Sequence, residues 1–260
     1  MIRLRTTLAA GAGLALLLTG CSDDTSSDST ATSSAPASVA DRESPAYTGE
    51  LPERPAGGDS VSCTYNASGD AARDVTAPSA DDVSASGTTA AQITTSVGVI
   101  GVELDRAAAP CTVNSFASLA EQGYFDDTPC HRLVTSPGLQ VLQCGDPTGT
   151  GTGGPGYGFD TEYPENMYAP GDAQLRQPVI YPRGTVAMAN TGRPGSNGSQ
   201  FFLVYEDSQL PPTYTVFGTV DEAGLAVIEE VAAEGDDGSM AAGGGAPNRG
   251  VQIESVTVGS

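Results

Sequence analysis

Two stretches of this chain hold the polar and aromatic residues from which a site could be built. Val186 to Phe202, VAMANTGRPGSNGSQFF, begins apolar and passes through a Gly/Pro/Asn/Ser loop that suits neither helix nor strand. It ends on the paired aromatics Phe201 and Phe202, the pattern of a shaped groove. Upstream lie Cys130-His131-Arg132 and Val141-Leu142-Gln143-Cys144-Gly145-Asp146. Arg132 brings a planar fork of N–H donors, which suits holding a polarised group better than breaking a bond. Other chemistries are closed off. All 11 cations are arginine and lysine is absent, so neither a Schiff base nor the lysine of a P-loop is available, despite the glycine run Gly149 to Gly158. His131 is the single histidine, and no C-x-x-C or H-x-x-x-H spacing accompanies it, so no metal is expected.

The elements that must position these residues occupy the latter two thirds of the 260 residues. Ala91 to Leu104 alternates as a β-hairpin turning around Ser96-Val97-Gly98. Thr112 is an N-cap candidate for a helix that buries Val113, Phe116 and Leu119 and stops at Gly123. Asp221 to Ala233 reads as a second helix with Leu225, Ile228 and Val231 on one face, and Val251 to Val258 as a closing strand. Most of the remainder is strand and turn, so an antiparallel β-barrel with two helices is expected.

The first 89 residues read differently. Arg3 and Arg5, an apolar run from Leu8 to Leu18 and then Leu18-Thr19-Gly20-Cys21 make residues 1–21 a secretory signal, too short in its apolar part to span a bilayer. Its end resembles a bacterial lipobox, which implies lipidation of Cys21 and a chain held on the extracytoplasmic side of the cell membrane. Residues 22–60 are rich in Ser, Thr, Asp, Pro and Ala and are expected to be a disordered tether, because they hold too little apolar surface to offset chain entropy. Residues 61–89 form an N-terminal extension that could dock on the domain at 90–260. The net charge of −21 argues against nucleic acid as a partner. Cys63, Cys111, Cys130 and Cys144 form an even set that favours two disulfides in an oxidising compartment, with three pairings open.

His131-Arg132, LQCGDPTGTGTGGPGYGF (Leu142 to Phe159), VAMANTGRPGSNGSQFF and YTVFGTV (Tyr214 to Val220) together resemble the cyclophilin-type peptidyl-prolyl isomerases, in that family's order and approximate spacing. The resemblance spans roughly residues 90 to 258. It implies an eight-stranded closed barrel with two capping helices, a substrate groove on its outside, and rotation about X–Pro bonds without any cofactor. It also implies roles: Arg132 and Gln143 as catalytic residues, and Val141, Ala189, Asn190, Gln200, Phe202, Leu210 and Tyr214 as the binding surface. His131 is read as a hydrogen-bonded structural residue. The implied partners are proline-containing polypeptides exported across the membrane, met by a monomeric domain. The chain departs from the family at Gln140, where a Phe is usual, at Gln209, where a Trp is frequent, and at Tyr214, where a His is frequent. Weak cyclosporin binding is expected from Gln209. Those departures keep open a second reading, a low-turnover module that binds proline peptides as a tethered chaperone.

Overall fold

A computed structural model describes residues 44–259. The expected signal segment, Cys21 and the start of the expected tether lie outside the described residues. The strands, in chain order, are β1 (Ser60–Val61), β2 (Asn66–Ala71), β3 (Val83–Ser84), β4 (Thr88–Thr95), β5 (Gly98–Asp105), β6 (Thr128–Pro129), β7 (Arg132–Ser136) and β8 (Leu139–Cys144), then β9 (Pro155–Gly158), β10 (Val179–Tyr181), β11 (Thr185–Met188), β12 (Phe201–Glu206), β13 (Ser208–Leu210), β14 (Val216–Val220) and β15 (Gln252–Val258). Helix α1 is Pro110–Glu121 and helix α2 is Glu222–Ala233.

Nine of these strands form one antiparallel sheet in the order β6-β15-β4-β5-β14-β11-β12-β8-β7. Its outermost strands, β6 and β7, are consecutive in the chain and separated only by Cys130 and His131. The sheet is curled, and its two edge strands belong to one chain segment. The resemblance implies eight strands in a closed barrel; the sheet has nine, and no ladder joins β6 to β7 among the described residues.

Alternation along the strands sorts side chains onto two faces. Leu142 and Cys144 of β8, Val186 and Met188 of β11, and Phe201, Leu203 and Tyr205 of β12 join one buried cluster. Val113, Phe116 and Leu119 of α1 and Leu225, Ile228 and Val231 of α2 complete it. The intervening residues Val141, Ala187, Phe202 and Val204 build a second cluster on the opposite face.

The hairpin expected at Ala91 to Leu104 is β4–β5, joined at Ser96 and Val97. The cap of α1 differs from expectation. α1 starts at Pro110 with Ala109 at its cap position, and Thr112 lies inside the first turn. The cap comes from across the fold: Glu162 accepts from the Cys111 N–H at 3.0 Å, from the Thr112 N–H at 2.8 Å and from the Thr112 hydroxyl at 2.7 Å. A carboxylate at this end complements the helix dipole and satisfies otherwise unpaired donors. Burial pushes the Glu162 carboxyl above its usual range even though these hydrogen bonds oppose the shift. In α2, Asp221 is the cap and accepts from Gly224 N–H at 2.6 Å.

Residues 44–60, assigned to the tether by composition, are instead fastened along the domain. Ser44 Oγ accepts from Ala169 N–H at 2.9 Å, the Tyr47 hydroxyl donates to Pro178 O at 2.8 Å, and the Tyr163 hydroxyl donates to Pro52 O at 2.6 Å. Arg54 meets Asp105 at 2.8 Å, and Leu51 packs on the outer cluster. A handful of anchoring side chains is enough to order a segment whose average composition is polar. Further on, β2 pairs with β9, Cys63 is joined to Cys111, and the Tyr65 hydroxyl donates to Cys111 O at 2.8 Å. Arg73 donates to the carbonyls of Gly123, Tyr124 and Asp126. The second disulfide joins Cys130 to Cys144.

Replacing Cys63 and Cys111 together by Ser should lower the unfolding free energy by about 2–4 kcal/mol, the usual contribution of a disulfide closing a long loop. Limited proteolysis should then cut first within residues 61–89. Denaturant titration and mass mapping of the fragments test this, and unchanged stability with unchanged cleavage would contradict it.

Candidate active site

Arg132 and Gln143 face each other as a register pair across β7 and β8. The Arg132 Nη1 donates to Gln143 Oε1 at 3.3 Å, Gln143 Nε2 donates to Gln200 Oε1 at 3.0 Å, and Gln200 Nε2 donates to Gly153 O at 2.9 Å. The chain of amides fixes the side-chain orientation of both glutamines, because each uses its oxygen as acceptor and its nitrogen as donor.

The other side of the guanidinium is held by backbone. Nε donates to Gly243 O at 3.0 Å and Nη2 to Ala242 O at 3.1 Å. The loop carrying these carbonyls docks on β7, where Leu133 N–H donates to Gly245 O at 2.7 Å and Gly245 N–H returns to Leu133 O at 3.0 Å. A Cβ at Gly244 would stand 2.1 Å from Leu133 O, so only glycine permits that approach. At Gly245, a Cβ would meet Asp237 Oδ1, which accepts from Ala246 N–H at 2.9 Å to shape the loop. Sequence reading assigned no role to this loop, although the run Gly243-Gly244-Gly245 was a usable signal of close backbone approach. Burial lowers the Arg132 pKa, with Tyr214 opposing, yet an arginine remains charged at any working pH.

Beside this polar row lies the apolar patch. Phe202 is the register partner of Gln143 on the adjacent strand, and its ring meets Tyr214 edge-on at 5.8 Å. Val141, Ala189, Leu210 and Tyr214 belong to the same outer cluster. Asn190 closes the groove: its Nδ2 donates to Thr213 O at 2.8 Å, and its Oδ1 accepts from Gly192 N–H at 2.9 Å. These bonds hold the side chain, while the Asn190 main-chain N–H and C=O take no partner among the described residues. Gln140 lies opposite Thr135, and Gln209 is exposed at the rim opposite Ile180. The nine residues expected to carry catalysis and binding therefore stand on one face. The arrangement can place an apolar ring against Phe202, pair a peptide backbone with Asn190 and aim charged donors at an atom above both.

The glycine-rich segment behind Gln200 is organised by Asp146, whose buried carboxylate accepts from the N–H groups of Thr148, Gly151 and Gly153 at 2.8, 2.7 and 3.1 Å. Burial alone would raise this carboxyl, but hydrogen bonds from Thr148, Gly153 and Gly151 outweigh it and hold the pKa below the usual value. His131 sits next to this segment, buried, with neither ring nitrogen hydrogen-bonded among the described residues. The expectation of a hydrogen-bonded histidine is thus corrected: the Asp146 carboxylate is engaged by three backbone donors, and the Gln200 amide is spent on Gln143 and Gly153. Burial lowers the His131 pKa, the Asp146 charge opposes this, and the neighbouring Arg132 adds to it.

Residues 90–258 match the family model for the cyclophilin type peptidyl-prolyl cis-trans isomerase/CLD. The chain is 56% identical over 200 residues to a probable peptidyl-prolyl cis-trans isomerase B of Mycobacterium leprae, covering 75% of this chain and 66% of that one. A protein of the same description from Mycobacterium tuberculosis is 57% identical over 164 residues, covering 62% of this chain and 52% of that one. The chain thus spans between half and two thirds of these relatives' length. Among solved structures, a cyclophilin type peptidyl-prolyl cis-trans isomerase of Cryptosporidium parvum is similar at a TM-score of 0.53 and 30% identity, covering 67% of this chain and 99% of the other. The same protein in the presence of the dipeptide Ala-Pro gives a TM-score of 0.51.

A histidine held neutral in the fold must take up a proton on unfolding, so the unfolded state binds more protons between the lowered folded pKa and the ordinary value of about 6.5, and stability rises with pH across that window. The unfolding free energy of the native protein minus that of His131→Asn should accordingly shrink as pH falls from about 7 to 5. Parallel denaturant curves at several pH values measure it; a difference that stays constant would remove the neutral-histidine assignment.

Proposed function

The chain belongs to the cyclophilin-type peptidyl-prolyl cis-trans isomerases, and from that membership we propose that it accelerates rotation about X–Pro bonds in exported proteins at the cell envelope. Rotation opposes a barrier of about 18–20 kcal/mol set by amide resonance, and no bond is broken. What is required is a surface that binds the twisted amide better than either planar form. The observation that carries the proposal is Arg132 clamped between the carbonyls of Ala242 and Gly243 and the amide of Gln143, directly beside the Phe202 patch.

As the amide twists, its nitrogen becomes pyramidal and gains a lone pair. The guanidinium has five N–H donors, of which three are engaged, so one on each terminal nitrogen is left for substrate. Because the clamp holds it before substrate arrives, no reorganisation is needed at the moment of rotation. Phe202, Val141 and Leu210 receive the proline ring in every state, and the free Asn190 backbone pairs with the preceding residue as an added strand. Gln143 orients the arginine, and Gln200 orients Gln143. We read the curled sheet as the family's eight-stranded barrel, with β6 and β7 as two parts of one strand; their separation by two residues supports this.

The envelope context rests on separate features: the lipobox-like end at Cys21, the signal-like segment before it, and two disulfides that suit an oxidising compartment. A monomeric domain tethered by lipid and acting on proline-containing chains, with no cofactor, fits them together.

Two outcomes follow. Arg132→Ala should cut isomerase turnover by roughly tenfold or more while leaving affinity for a proline peptide nearly intact, since the guanidinium acts mainly on the twisted amide. Phe202→Ala should weaken affinity as well. NMR exchange on an Ala-Pro peptide, with a parallel binding titration, separates the cases; unchanged turnover in Arg132→Ala, or peptide binding with no native turnover, would install the binding-module reading instead. For location, Cys21→Ser should release the protein from the membrane fraction into the medium, and equal membrane recovery of the two forms would end the anchor proposal.

A further inference from the structure

On the far side of Asn190 from the Phe202 patch lies a second cavity of about 490 Å³, lined by Gln143, Gln200, Asn190 and the Gly151–Gly154 floor. Part of its wall comes from the N-terminal extension. β2 follows β9 in register at Asn66 and Ala67 and again at Ala71, but between them the pairing shifts, so that Ser68, Gly69 and Asp70 bulge out of the ladder. Gly69 has φ +67°, which lets the chain turn there. Those three bulged residues are the part of β2 that lines the cavity. Asp70 is its single charged lining residue, is exposed, and forms no ion pair among the described residues. Every other polar group around the cavity is a neutral hydroxyl, amide or peptide group.

We propose that this bulge makes Asp70 a specificity-determining residue, selecting substrates with lysine or arginine two positions before the proline. The inference rests on the isomerase reading for the direction of the peptide. With the proline ring on Phe202 and the preceding residue paired to Asn190, the next residue back reaches the cavity that begins at Gln143 and Gln200. Its side chain has room to extend along the glycine floor toward the lip. A cation there meets an unpaired carboxylate with no competing cation in the lining, while an acidic side chain meets like charge. The selection belongs to the extension and not to the barrel, since none of the barrel residues lining the cavity is charged.

The test uses the full chain, peptides of sequence Xaa-Ala-Pro-Phe flanked by neutral residues, with Xaa as Lys, Gln or Glu, and the variants Asp70→Asn and Asp70→Lys. Exchange rates by NMR and dissociation constants by titration are measured for each pair. The native protein should favour Lys over Glu by roughly two- to fivefold, the range an exposed ion pair supplies, and lose that preference in high salt. Asp70→Asn should flatten the preference and Asp70→Lys should invert it, in affinity as in rate. A Lys-to-Glu ratio that is the same in all three proteins overturns the proposal. If no peptide is turned over, the isomerase reading fails by itself, while the ratio of dissociation constants still decides whether Asp70 selects.

Discussion

Alternation of side chains across β8, β11 and β12 is the constraint on which everything else depends. Each strand has two faces, and here both are used: Leu142, Met188 and Phe201 go to the core while Val141, Gln143 and Phe202 go to the groove. A slip of one residue in β8 would turn Gln143 to the core and Leu142 to the groove, and one in β12 would do the same to Phe202 and Phe201, so the requirement to form a core also sets the geometry of the site. Phe201 and Phe202, adjacent in sequence, show the division most directly. One is packed against Phe116 and Phe125 in the core cluster, the other against Tyr214 on the opposite face of the sheet. Stability and recognition are therefore decided by the same register.

The parts of this arrangement that were legible in the sequence are those written in local patterns. The β4–β5 hairpin follows from alternation, α2 from the spacing of Leu225, Ile228 and Val231, and the groove from the motif around Asn190. What was not legible depends on contacts between distant segments. Glu162 caps α1 from some 50 residues away, and nothing at Pro110 or Thr112 announces it. Ala242 and Gly243 act through carbonyl oxygens, which every residue has, so their role is fixed by where the loop lands. Composition misjudged residues 44–60 because it averages over a segment, whereas docking is decided by single anchors such as Tyr47, Leu51 and Arg54.

The extension and the rest of the domain share walls. β2 lies along β9, whose preceding glycines form the floor beside Gln200, and the Cys63–Cys111 link ties the same extension to the first turn of α1, the turn that Glu162 caps. Loss of the extension would remove Tyr65 and uncover Tyr157 and Phe159, against which it packs edge-on. Residue 90 is thus where the family model begins, and the folded unit is larger.

The docking of Gly245 on Leu133 has a consequence for how the molecule meets other chains. β7 ends the sheet, and an end strand offers unpaired N–H and C=O groups on which a foreign strand can grow. At Leu133 both groups are already spent on Gly245. A foreign strand is thereby denied a template next to the arginine, and the free main-chain groups at Asn190 are those of a single residue, too few to nucleate a ladder. The same two hydrogen bonds that seat the arginine's loop therefore also blunt the edge of the sheet.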